Sequence, residues 1–204
     1  MSIRLLLLAA SLLAPLAAPA APQNYVIDPV HSFPSFTVGH YGMSTIRGRF
    51  DEMHGRITLD TAARTGSVDI QIKAATVNTG DARHEPGSFA AKNYGPRARD
   101  EHLRSPDFFN VAEFPEITFK STRLNFAGDA VESIEGNLTI AGVTRPVKLR
   151  VTAFKCGPNP FTKKPMCGAD LEGAIKRTDF GLKYGVPAIS DDVKLEIGVE
   201  AYPE

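Results

Sequence analysis

Five histidines, two cysteines and a compact Arg99-Asp100-Glu101-His102 run are the groups in this chain with chemistry to offer. His31 and His40 are nine residues apart, an odd separation that puts them on opposite faces of a regular strand. A same-strand pair of metal ligands at that spacing needs a bulge. His54, His84 and His102 fall in or beside expected loops, and a metal centre requires three of the five to converge. No metal site is expected. Arg99, Asp100 and His102 do not share one face of a short helix, which argues against an acid–base cluster. Arg177 and Asp179 read as a structural polar contact at a strand end. Cys156 and Cys167 enclose Gly157, Pro158, Pro160 and Pro165, a spacing that fits neither C-x-x-C nor a zinc pattern. In an oxidising compartment the pair reads as a disulfide closing a loop, stabilising by about 3 kcal/mol. There is no G-x-S-x-G elbow and no Gly-rich phosphate loop. No catalytic residue and no cofactor are expected, and the chain does not read as an enzyme.

The elements that position these groups alternate with period two. Pro34, Phe36, Val38 and His40 share one parity, and Ile46, Gly48 and Phe50 repeat it. Val68, Ile70, Ile72 and Ala74 alternate with Asp69, Gln71 and Lys73. Ile117 and Phe119 follow, then Ile134, Gly136, Leu138 and Ile140, then Val147, Leu149, Val151 and Ala153, and finally Val193, Leu195, Ile197 and Val199. This is the signature of strands with one buried face. Turn residues at 62–66, 127–129 and 141–146 give hairpin spacing. Around eight to ten short strands predict an all-β antiparallel sandwich or barrel. From Gly80 to Asn110 the alternation disappears. Gly87, Gly95 and Pro96 oppose a continuous helix there, and Arg97 to Arg104 is expected to form a short one. An insertion of that length is often a lid or binding loop.

The N-terminus reads as an export signal. Arg4, the apolar run Leu5–Leu13 and the small residues Ala18 and Ala20 predict a signal peptide over 1–20 and one domain over 21–204. The apolar run is shorter than a spanning helix needs, so a periplasmic product without a membrane span is expected. The 23 basic and 23 acidic side chains balance, which gives no electrostatic reason to expect nucleic acid as a partner. Transient membrane contact and a homodimer are left open.

The order of several short motifs resembles the YceI-like family of periplasmic lipid-binding proteins. Ile27-Asp28-Pro29-Val30-His31-Ser32 with Phe36-x-Val38-x-His40 is similar to its N-terminal signature. The central run from Arg99 to Phe109, then Phe114-Pro115-x-Ile117-x-Phe119, Gly136-x-Leu138-x-Ile140, Lys176-Arg177-x-Asp179-Phe180-Gly181 and Val193-x-Leu195-x-Ile197, continue it in order. The resemblance implies an extended lipocalin-like antiparallel β-barrel with a short helical or loop insertion. It also implies a ligand, a polyisoprenoid, an isoprenoid quinone or another long-chain lipid, in the barrel. One departure stands out: family members pass almost directly from a Thr-Gly-like pair to the Arg-Asp-x-His-Leu motif. Here residues from about His84 to Arg97 intervene, and a loop bordering the barrel mouth there would alter ligand length or head-group selection.

Strand parity then nominates the ligand-binding wall: Phe36, Val38, Phe50, Ile70, Ile72, Phe119, Leu138 and Ile140, with Leu103, Phe108 and Phe109 as an entrance or end plug. Gly48, Gly136 and Ala74 are expected to leave room. His40 is read either as a polar group meeting a ligand head group or as a satisfied structural histidine. A filled barrel has the same alternation as a hollow one, and the resemblance is what favours a carrier. Two alternatives stay open. One is an enzyme acting on a lipid-like substrate through His40 or Asp100, and the other is a closed-barrel, stress-linked interaction protein.

Overall fold

The computed structural model describes residues 21–204, so the signal-peptide expectation over 1–20 lies outside the described residues. Eleven strands occur in chain order. They are β1 (Gln23–Ile27), β2 (Phe33–His40), β3 (Ser44–Phe50), β4 (Met53–Asp60), β5 (Thr65–Lys73), β6 (Val77–Asn78), β7 (Glu116–Ala127), β8 (Ala130–Ile140), β9 (Val143–Pro158), β10 (Pro165–Lys176) and β11 (Ile189–Pro203). Two six-residue helices, α1 (Phe89–Tyr94) and α2 (Arg99–Arg104), lie in the segment where alternation stops.

All pairings are antiparallel, and they close on themselves. The order runs β1-β4-β5-β7-β8-β9-β10-β11, and β11 returns to β1 through Tyr25↔Pro203 and Ile27↔Ala201. This is a closed eight-stranded barrel. Beyond the ring, β2, β3 and β6 extend it at one end. β2 pairs with the first half of β11 through Phe36↔Leu195, and β3 pairs with β2 and then with β6. The pairs β1/β2, β3/β4 and β5/β6 therefore behave as three staves, each broken once. The breaks are stitched together: Ser32 Oγ donates to Glu200 O and accepts from Glu200 N, and Asp51 N donates to Thr76 O. Breaking a stave lets a barrel of few strands widen above the break without orphaning backbone groups.

The alternation read from the sequence sets which face is inside. In β5, Val68, Ile70 and Ile72 are buried while Asp69, Gln71 and Lys73 face water. The outer face carries ion pairs such as Lys120–Asp69 (3.5 Å) and Arg150–Glu172 (2.6 Å). That is a water-facing exterior, unlike the apolar band of a lipid-embedded barrel. Among the described residues no helix is long and apolar enough to cross a membrane.

One bulge corrects the parity expected from sequence, and a second lies ahead of the run read from it. On β9 the register shifts opposite Asp170/Leu171, so that Val151 pairs with Leu171 and Ala153 with Asp170. Thr152 is the extra residue. Ala153, expected inside, is exposed, and Phe154 takes the inward place. On β8 a shift near Glu132 turns both Val131 and Ile134 inward. The hairpin between β8 and β9 is also tighter than expected. Ala141 and Gly142 alone turn the chain, both at positive φ, and Pro146 already sits in β9 opposite Asn137.

Cys156 and Cys167 form the expected disulfide, but its role is different. The two face each other in register across β9 and β10, so the bond staples paired strands rather than closing a free loop. Reduction is expected to lower stability by about 2–3 kcal/mol. Urea unfolding with and without dithiothreitol checks this, and unchanged midpoints would show the hairpin register alone to be sufficient.

Candidate functional site: an apolar cavity with a polar mouth

The barrel is hollow. A continuous cavity of about 950 Å³ runs along its interior, walled by side chains from every stave. Phe36 and Val38 of β2, Phe50 of β3, Ile70 and Ile72 of β5, Phe119 of β7, and Leu138 and Ile140 of β8 all line it. His40, at the end of β2, lies on its rim, with its ring centroid 3.9 Å from that of Tyr41. Leu103, Phe108 and Phe109 also reach the wall, at the same end as His40. Phe50 links Phe36 to Phe109 with ring centroids 5.9 and 5.4 Å apart, tying two strands to the segment after α2. The structure thus gathers every residue nominated from parity around one space.

Three nominated sources of room do not supply it. The Phe36 ring packs on Gly48, where an added Cβ would lie 2.4 Å from its Cζ. Phe119 covers Gly136 in the same way, again at 2.4 Å. The glycines admit aromatic rings that shape the wall, a cross-strand pairing that compensates for the missing side chain. Ala74 is buried in the short helical turn after β5 and does not face the cavity.

Sequence reading missed the far half of the wall. Leu124, Val131 and Phe154 lie beyond the bulges, and Tyr25 belongs to the first strand. It also missed α1, although Ser88 and Gly95 bracket Phe89–Tyr94 as an N-cap and a positive-φ C-cap. Ser88 Oγ accepts from Ala91 N at 3.1 Å.

The charged and imidazole side chains on the wall all come from one end, which is therefore the mouth: His40, Asp81, His84, Arg97, Arg99, His102 and Arg177. The inserted segment contributes directly through His84, Ala90, Tyr94 and Arg97. So the insertion does border the mouth.

Asp100 is not poised for chemistry. It is 1% exposed and accepts from both the backbone N and the hydroxyl of Thr79. Arg99 Nε donates to the same Thr79 hydroxyl at 2.7 Å, and Arg99 N donates to Asp81 Oδ2 at 3.0 Å. These bonds pin α2 to the residues after β6. Arg177 likewise corrects an expectation. Its guanidinium ignores Asp179 and donates to the carbonyls of Ser190, Leu182 and Ile189 at 2.8–2.9 Å. Burial pulls its pKa below the ordinary value, and the charge of Asp191 opposes that.

His84 anchors the insertion. Its side chain is 4% exposed, Nδ1 donates to Gly95 O at 2.6 Å, and Nε2 faces Asp81 Oδ1 at 3.2 Å. Both ring nitrogens meet acceptors only, a setting that favours the doubly protonated ring. Its pKa is raised by the Gly95 carbonyl first, with Asp81 adding to this and burial opposing it. Burial raises the Asp81 pKa, but bonds from Arg99 N and His84 outweigh it and the net shift is downward. A raised histidine stabilises fully below about pH 6.5 and loses that contribution as pH climbs through the folded value. Amide protection across 81–97, corrected for intrinsic exchange, is therefore expected to fall as pH rises above about 6.5. In His84→Gln the profile should be flat. A native profile without this decline would remove the anchor.

His31 stands apart from the cavity. It is 60% exposed, in the turn between β1 and β2, with Nδ1 2.8 Å from Asp28 Oδ2 and 3.9 Å from Glu200 Oε2. Asp28, His31 and Glu200 bring one ligand atom each within 4.8 Å of one another. Of the three side chains, only those of His31 and Asp28 are hydrogen-bonded to each other.

Comparison with known proteins agrees with this architecture. Residues 25–201 match the family of YceI-like domains. The chain is 35% identical over 184 residues to Protein YceI of Salmonella arizonae, covering 89% of this chain and 87% of that one. Protein YceI of Salmonella agona is 36% identical over the same span. The Campylobacter jejuni YCEI protein superposes with a TM-score of 0.61 at 29% identity, over 81% of this chain and 89% of that one. Burkholderia cenocepacia BcnA (TM-score 0.65, 22% identity) shares the fold over 85% of this chain and 98% of its own. So does a polyisoprenoid binding domain from Saccharophagus degradans (0.60, 18%), over 88% and 98%. A closed antiparallel barrel, motifs in family order and identity across nearly the whole described chain lead to one assignment: the chain belongs to the YceI-like family.

Proposed function

We propose that the protein binds one long apolar lipid, a polyisoprenoid or an isoprenoid quinone, inside the barrel and carries it through the periplasm unaltered. The observation that carries this reading is the cavity. Its 950 Å³ is roughly six times the 150 Å³ space that takes up a benzene ring, room for on the order of 35 carbon atoms. An apolar tube of that size gains about 0.8 kcal/mol per methylene buried, with no ion pair needed. The Saccharophagus degradans domain of like fold is described as polyisoprenoid binding, which supports the class of cargo. The disulfide and the signal-like N-terminus support the compartment. Against an enzyme acting through Asp100 stands its burial, with Oδ1 held by both the backbone N and the hydroxyl of Thr79.

The test is organic extraction and mass spectrometry of the protein purified from a native periplasm without detergent. Near-stoichiometric recovery of one long isoprenoid is expected, with the same species from His40→Ala. No lipid from a folded sample overturns the reading. A cargo that changes chemically when His40 is replaced hands the site to the enzyme alternative.

A further inference from the structure

Nine large apolar side chains are left exposed among the described residues, and six of them crowd one end. Tyr41 and Met43 come from the turn between β2 and β3. Phe89 and Tyr94 come from α1, and Tyr184 and Val186 from the loop before β11. Met43 is 88% exposed and Phe89 73%. These three segments are separate in sequence but meet at the mouth. Tyr41, Tyr94 and Tyr184 all line the cavity, and Tyr41 N donates to Ala188 O at 2.7 Å. Exposure of such a set to water is unfavourable, and a rim of this kind marks an interaction surface.

Charge narrows the partner. The chain as a whole is balanced at 23 basic and 23 acidic side chains, yet the rim segments 41–43, 81–97 and 182–186 carry Arg83, Lys92, Arg97 and Lys183 against Asp81 and Glu85, and Asp81 is already engaged by His84 and Arg99 N. Glu85 is paired with Arg83, and Arg97 reaches only Asp107, at 3.7 Å. Tyrosines and phenylalanine mixed with cations around an opening, Lys92 and Lys183 outside any ion pair among the described residues, match the interfacial zone of a bilayer. A closed protein–protein patch has a packed apolar centre, whereas the centre here is the cavity entrance.

We propose that the mouth rim docks on an anionic phospholipid bilayer, inserting Met43, Phe89 and the tyrosines among the head groups so that the cavity opens onto the membrane. The inference rests on the lipid-carrier reading, since a cargo of that class resides in a bilayer. The segment from His84 to Arg97 supplies two of the six apolar groups and two of the four cations.

The chain contains no tryptophan, which makes single tryptophans clean reporters. Met43→Trp and Phe89→Trp, neither on the cavity wall, are compared with Phe161→Trp at the opposite end, where Phe161 is 92% exposed. Vesicles of phosphatidylglycerol with phosphatidylcholine, free of isoprenoid, are the probe. A blue shift is expected at the first two positions and none at the third, with weaker partitioning on phosphatidylcholine alone. Replacing Met43 and Phe89 together by Ser is expected to weaken vesicle partitioning on the order of tenfold. No shift at either rim position, or an equal shift at Phe161→Trp, overturns the proposal and leaves the face to a protein acceptor. Cargo extraction is read separately. Docking without recoverable lipid would keep this face and remove the carrier, and lipid without docking would do the reverse.

Discussion

Ala169→Trp is expected to cost the barrel its long cargo while leaving the fold intact. Ala169 lies on the cavity wall, paired with Val199 of β11 and Phe154 of β9, both of which also line the space. An indole growing from this position enters a void, so the overpacking penalty of a filled core does not arise. It takes up about one benzene-sized volume, roughly one sixth of the cavity. Excluding five or six carbons at about 0.8 kcal/mol each removes about 4 kcal/mol of binding, on the order of a thousandfold in affinity. Lys155→Trp, exposed on the neighbouring strand, is the control and should keep its cargo. Lipid recovered per protein, measured by mass spectrometry for both variants, decides the matter. Equal recovery from Ala169→Trp and the native chain would mean that the cargo does not occupy this part of the tube.

That prediction depends on which side chains face inward, and this was legible in the sequence only in part. Where strands are regular, parity reads correctly: Val68, Ile70 and Ile72, or Val193, Leu195, Ile197 and Val199, need nothing beyond alternation. It fails past Thr152, where one extra residue turns the strand over, and the bulge near Glu132 kept Val131 out of the run read from Ile134. A bulge is fixed by how neighbouring staves must bend to close the ring, which no local pattern records. The glycines misled for a related reason. Gly48 and Gly136 look like space, but the rings of Phe36 and Phe119 arrive from the paired strands. The mouth was the least legible part. Six residues of α1 fall below the length at which a helix persists alone, so neither its presence nor the side it shows to the cavity follows from propensity. The Ser88 and Gly95 bracket was the available signal.

Arg177→Met is expected to destabilise the native protein by about 3–5 kcal/mol, since the loss of one guanidinium strands three carbonyls at once. Arg177 is 6% exposed, and its Nε, Nη1 and Nη2 donate to Ser190, Leu182 and Ile189. Those acceptors flank the loop that carries Tyr184 and Val186, so one side chain holds the rim segment against the end of β10. A neutral side chain of similar length keeps the packing but offers no donor, and water reaches the site poorly. Arg177→Lys should fall between the two, because a single ammonium cannot reproduce a planar fork aimed at three carbonyls. Asp191 will not compensate, being engaged by the N–H and hydroxyl of Thr178 at 2.9 Å each. In urea the midpoint should drop with the slope unchanged, which separates lost stability from a changed unfolded state. For a domain of this size the melting temperature should fall by on the order of 10 °C. A loss under about 1 kcal/mol would show that the loop finds other donors. Were Arg177 a group reserved for the cargo, Arg177→Met would instead lower lipid recovery and leave the urea midpoint of the empty protein in place.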